Sequence, residues 1–99
     1  MAITSFLADP NNVTEGEILT LRSTFVGSDT TVVYRLPDGS PFTFFHENVA
    51  TREIESPVVN KKNTTSTTLR GSGGGSLVFA SSKSDLTKRM KRVVTLTKP

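Results

Sequence analysis

Strict alternation near the start is the feature that most constrains this chain. In the stretch ITSFLADPNNVTEGEILTLRSTFVG, Ile3 to Gly27, Leu19, Leu21, Ser23 and Phe25 alternate with Thr20, Arg22 and Thr24. A period of two places successive side chains on opposite faces of a strand, so one set is buried and the other meets water. That is the pattern of a half-buried antiparallel strand. Ile3, Ser5 and Leu7 alternate with Thr4 and Phe6 in the same way. Asp9-Pro10-Asn11-Asn12 interrupts the pattern, because Pro has no N–H and Asp/Asn side chains bond their own backbone in turns. Glu15-Gly16-Glu17 is a second turn signal, with Gly free to take positive φ. The stretch predicts two strands joined by a tight connection, to which the later strands add.

Further along, Val32, Tyr34 and Leu36 alternate with Val33 and Arg35, predicting a third strand. Leu36-Pro37-Asp38-Gly39-Ser40 is the strongest turn, and it predicts a hairpin with Pro41 to His46 returning. Phe42 and Phe44 then share one face and Phe45 the other. Core packing on both faces is the favoured reading of these rings, and one Phe at a contact surface is the alternative. Glu47 to Glu55 fits either a strand or a short helical crossover. Val58-Val59 starts a short run after Ser56-Pro57, and Asn60-Lys61-Lys62-Asn63 is a polar turn. Thr64 to Arg70 suits a pleated surface and is expected as a strand. Gly71 to Ser76 is a flexible Gly/Ser loop in which Gly71, Gly73, Gly74 and Gly75 form a hairpin tip or an arm. Leu77 to Ala80 is a brief strand, and Ser84 or Asp85 is a candidate cap for a helical turn over Leu86 to Arg89. Val93 to Thr97 closes the chain as a strand. No internal repeat is visible.

A strand ending in Asp9-Pro10, a polar connection containing Val13, the Gly16-Glu17 pair and Leu19-Thr20-Leu21 together resemble the opening strands of immunoglobulin-like domains of bacterial and phage proteins. Val93-Val94-Thr95-Leu96-Thr97 resembles the closing strand of such domains. The middle departs from antibody-type domains, having no Trp and no cysteine pair. The resemblance implies an all-β fold, an immunoglobulin-like antiparallel β-sandwich of about seven strands. It implies a fold more than an activity.

A chain of 99 residues is expected to be a single domain, 1–99. The absence of cysteine excludes disulfides and thiolate metal sites, and favours an intracellular or virion setting. The N-terminus has neither a basic region nor a long apolar core, so no signal peptide is expected. No run approaches the roughly 20 apolar residues of a membrane helix. The net charge of +3 conceals a split. Residues 1–55 hold three arginines against eight acids, a net of −5, and residues 56–99 hold nine bases against Asp85, a net of +8. Either the strands of the halves interleave and mix the charge, or the molecule is bipolar and packs head to tail or lays its basic part on an acidic partner.

The residues give little sign of catalysis. The Gly-rich loop lacks the Gly-Lys-Ser/Thr ending that grips phosphate. His46 is the only histidine, and Glu47 beside it would point to the opposite face of a strand. One His without cysteine is a poor zinc site. Asp9, Glu15, Glu17 and Asp29 sit in turns without the spacing of a calcium loop. Asn12-Val13-Thr14 and Asn63-Thr64-Thr65 match the glycosylation triplet, as chance allows in a chain rich in Asn and Thr. Lys88-Arg89-Met90-Lys91-Arg92 is the densest charge run, and Lys61, Lys62 and Arg70 are candidates to join it in contacting a partner; Lys83 is a further candidate. On a strand, Lys88, Met90 and Arg92 point one way and Arg89 and Lys91 the other. The run holds no aromatic residue for base stacking, so nonspecific phosphate contact is the one nucleic-acid mode it leaves open, and it is not the favoured reading. A charged edge strand and contact with an acidic protein surface are the other readings.

These observations lead to a non-enzymatic assembly protein with no cofactor and no metal. The resemblance implies a bacteriophage virion component, a capsid decoration or cement protein or a tail protein, that contacts other virion proteins or copies of itself. The alternatives are a repeat of an extracellular bacterial surface adhesin and a small basic nucleic-acid-binding protein.

Overall fold

The computed structural model describes residues 2–98. Its described residues form nine strands in two sheets and no helix. The strands are β1 (Ala2–Asp9), β2 (Asn12–Thr14), β3 (Ile18–Val26), β4 (Thr31–Arg35), β5 (Thr43–Phe44), β6 (Glu53–Pro57), β7 (Lys62–Arg70), β8 (Gly75–Ser82) and β9 (Asp85–Thr97). One sheet has the order β1-β3-β7-β5 and the other β2-β9-β8-β4-β6. The count exceeds the expected seven because β2 lies in the stretch read as a connection and β6 begins in the stretch that fits either a strand or a helical crossover.

β1 and β3 pair as expected, but the connection between them is not tight, because β2 intervenes and pairs in the other sheet. On β1 Phe6 faces the core and Leu7 is exposed. β1 lies antiparallel to β3, with Ala8 opposite Leu21, and Leu19, Leu21, Ser23 and Phe25 are all buried. A bulge leaves Thr4 as an extra residue between Ile3 and Ser5, and the Thr4 and Ser5 hydroxyls both meet Thr24 Oγ1 at 3.0 and 2.6 Å. After the cis Asp9–Pro10 bond the chain changes sheet, and Asn12 to Thr14 runs parallel to the end of β9. Val13, which lies opposite Leu96, is buried there.

Four further expectations are corrected. The Pro37 to Ser40 turn exists, with Ser40 N–H donating to Pro37 O at 3.1 Å and Gly39 at φ 78°. It closes no hairpin, because the following segment crosses to the other sheet and its short strand β5 pairs with β7. Phe42 and Phe44 are buried as one face, but Phe45 is 44 % exposed, so core packing on both faces does not hold. In the stretch 47–55, Asn48 to Arg52 forms turns and β6 begins at Glu53, which then runs through the expected reset at Ser56-Pro57. The proposed helical turn over Leu86 to Arg89 is strand. Asp85 caps it differently, its carboxylate accepting from Thr87 N–H and Oγ1 at 3.1 and 2.6 Å.

Both sheets feed one core. Phe6, Leu19, Leu21, Phe25, Phe44 and Leu69 come from the first sheet and Val13, Val32, Tyr34, Ile54, Val78, Ala80, Val94 and Leu96 from the second. Leu36 and Phe42 fill it from the connection between them. Val33 is buried as well, on the outer side of β4, which is flanked by β6 and β8.

Candidate interaction surface

The basic run lies on β9, the longest strand at thirteen residues. β8 and β9 form a hairpin, and β2 covers β9 only from Thr95 to Thr97. Leu96 N–H donates to Gly74 O at 2.9 Å on the β8 side, whereas Thr95 N–H donates to Asn11 O at 3.0 Å on the other side. In an antiparallel ladder these directions alternate. Arg89, Lys91 and Val93 therefore aim their N–H and C=O groups away from β8, along an edge with no strand paired to it among the described residues. Val93 is 57 % exposed, and Met90 and, towards the far end of the strand, Leu86 are exposed as well. This edge combines free backbone groups, four bases and apolar surface.

The bases on it do different things. The Arg92 guanidinium donates twice to Phe6 O, at 3.3 and 3.0 Å, so it ties β9 to β1 across the gap between the sheets. The Arg89 guanidinium lies 4.0 Å from the Phe79 ring centroid, a cation–π contact on the outer face. Lys91 is exposed and lies opposite Phe79 in the ladder. Lys88 sits 4.0 Å from Asp85, an exposed pair of small energetic weight. Hydrogen bonds from Thr87, its hydroxyl first, hold the Asp85 carboxyl below the usual carboxylate range. The alternation expected of the run is kept, since Arg92 turns towards the neighbouring sheet and Arg89 packs on the outer face.

The other candidate residues do not join this patch. Lys61 and Lys62 lie at the turn that starts β7, whereas Arg70 ends it, roughly 27 Å away along the strand. Arg70 stacks its guanidinium 4.7 Å from the Phe45 ring centroid. Lys83 pairs with Glu55 at 3.2 Å. Gly71 to Gly74 link β7 in one sheet to β8 in the other, so they are not a hairpin tip, and Gly75 is already in β8. This link is tied at both ends: Gly71 N–H donates to Glu15 Oε1 at 3.1 Å, and Gly74 O accepts from Leu96 N–H.

A second surface was not foreseen. A groove of about 530 Å³ runs between β6 and the part of β7 that β5 leaves uncovered. Phe45, His46, Asn48, Glu53, Glu55 and Ser66 are among its lining residues. The His46 ring packs on Phe45, with 3.9 Å between centroids. Glu47 turns away from His46, accepting from Phe44 N–H at 2.6 Å and pairing with Arg52. Arg52 also donates to Ser40 O at 2.7 Å and to Phe42 O. This partly buried pair holds the 40–52 segment together although His46 and Arg52 both have positive φ. Glu47-x₄-Arg52 was the available signal, but it becomes one only when the turn brings the two together. No group of three His, Asp or Glu side chains suited to a metal occurs among the described residues.

The two glycosylation triplets differ in place. Asn12 is exposed on β2, but Asn63 is only 2 % exposed, and its Nδ2 donates to Tyr34 Oη at 2.9 Å in the core. No family model matches this chain, and no curated protein matches it.

Proposed function

We propose that this chain is an immunoglobulin-like sandwich serving as a non-enzymatic structural protein of a bacteriophage particle, a capsid decoration or cement protein or a tail component. The order β1-β3-β7-β5 follows the ABED sheet of that fold and β9-β8-β4 follows its GFC sheet. β6 adds beside β4 where nine-stranded members carry an extra strand. The chain departs from the pattern in visiting the β5 position before the β6 position.

The observation that carries the functional reading is the unpaired basic edge of β9. Free N–H and C=O groups invite strand addition, and charge selects an acidic partner. Such a contact suits assembly on a virion surface, and the chain would then reside in the virion.

The test is co-sedimentation with particles from the natural source. The wild-type chain is expected to bind them, and the variant K88E/R89E/K91E to lose most of that binding while keeping its melting temperature. Failure of the wild-type chain to bind would overturn the reading. Binding to double-stranded DNA that falls steeply with salt would instead favour a nucleic-acid-binding role. Binding to immobilised glycans in place of particles would favour the adhesin repeat.

A further inference from the structure

We propose that a second copy of this chain docks edge to edge on the first, with β6 of one copy against β9 of the next. The inference rests on the reading that β9 is a contact strand, and it names the partner. The two strands lie on opposite sides of the same sheet, in the order β2-β9-β8-β4-β6. Each step from β9 to β6 is antiparallel, so three steps leave β6 running opposite to β9. Two copies in the same orientation therefore bring β6 alongside β9 as an antiparallel pair.

The backbone directions match. Leu36 N–H donates to Arg52 O, and Val58 N–H to Thr30 O, so Arg52, Ile54, Ser56 and Val58 bond towards β4. Glu53 and Glu55 then aim their backbone groups at the open edge, as Arg89 and Lys91 do on β9. On both strands these residues also carry their side chains on the outer face, since Ile54, Ser56, Val94 and Leu96 occupy the inner one. Placing Glu55 opposite Arg89 sets Glu53 opposite Lys91. Both acids then face bases on one side of the extended sheet, as stable cross-strand pairs require.

The same geometry limits the contact. Asn48 N–H already donates to Glu53 O at 2.8 Å, so the ladder centres on Glu55 and Glu53 contributes its side chain. Pro57 has no N–H and ends it. Glu55 keeps Lys83 as its own-chain partner and gains Arg89 as a second base. A short ladder of this kind is reversible and sensitive to salt. β9 against β9 and β6 against β6 would oppose like charges, leaving head-to-tail contact, which repeats into a ring or an open chain.

Sedimentation of the full chain at low ionic strength tests this. The average mass should rise with concentration above the 10.7 kDa of one chain. It should fall back at about 1 M salt, where the screening length is about 3 Å. The swaps E53K/E55K and R89E/K91E should each abolish association alone, and mixing the two variants should restore it. If a swap fails to fold, E53Q/E55Q and R89Q/K91Q should each still abolish association of the folded chain. A wild-type mass that stays at one chain, swaps without effect, or a mixture that stays monomeric would overturn the proposal. A chain that is monomeric alone yet binds particles through β9 would overturn this pairing and leave the particle reading standing.

Discussion

Tyr34 is the only tyrosine of the chain, and its hydroxyl lies in the core between Ser23 and Asn63. Asn63 Nδ2 donates to it at 2.9 Å, and it shares a hydrogen bond with Ser23 Oγ, also at 2.9 Å. Y34F would leave both partners buried and unpaired, which costs about 1–3 kcal/mol. Chemical denaturation should show that loss with an unchanged m-value. Burial pushes the phenol up from 10.0 to about 12, partly opposed by the Ser23 hydrogen bond. Below pH 10 both states keep the proton and the group has no effect on stability. Above it the unfolded chain ionises first and binds fewer protons, so stability falls by roughly 1.4 kcal/mol per pH unit until the folded phenol ionises near pH 12. The wild-type chain should lose stability against Y34F across that window, and phenolate absorbance reports Tyr34 alone. A parallel decline in both would remove Tyr34 as the cause. Much of this site was legible, because alternation places Ser23 and Tyr34 inward. Asn63 was not, since Asn among lysines signals a turn until its register opposite Ser23 is known.

At the scale of elements, turn chemistry was legible and the destination of the chain after each turn was not. Pro37 to Ser40 makes its turn from local residues, but the choice of sheet depends on where Phe42 and Phe44 find a core. The β6–β7 connection is tighter than its polar sequence suggests. Val59 and Lys62 exchange two backbone hydrogen bonds of 2.9 and 3.0 Å, and Asn60 and Lys61 have φ of 53° and 60°. This is a two-residue turn with both central residues left-handed, for which Asn-Gly is the favoured pair. Lys61 carries a Cβ penalty of about 1 kcal/mol there. K61G should therefore raise the denaturation midpoint, and K61V should lower it. The opposite order would mean that Lys61 makes a contact stronger than its strain. Gly71 is the converse case, since a Cβ there would overlap the buried Phe42 ring. G71A should lower the melting temperature, and the smaller ring site of F42L should relieve much of that loss in the double variant.

For the whole molecule, the charge split of the sequence is largely mixed by topology. The first sheet joins β1 and β3 to β7, and the second joins β4 and β6 to β8 and β9. Each sheet thus takes strands from the acidic and the basic half, and Lys83–Glu55 is one ion pair across them. What survives is a polarity across the second sheet, from the bases of β9 to the acids of β6. Sequence order could not show it, because it arises from strand order. The same interleaving makes the fold depend on both halves at once. Segments 1–60 and 61–99, divided within the Asn60-Lys61 turn, each hold strands that lack their neighbours, so each alone should show no cooperative unfolding. Their charges are −5 and +8, as the sequence gives for the corresponding halves. Opposite charge speeds encounter, and the buried strand pairs then supply stability. Mixing the two segments should restore β-sheet circular dichroism, with an association rate that falls as salt rises. The turn is exposed, and cutting it removes no core contact. A segment that folded by itself would show that one half holds a complete core, contrary to the shared core of Leu19, Leu21, Tyr34, Leu69, Val78 and Val94.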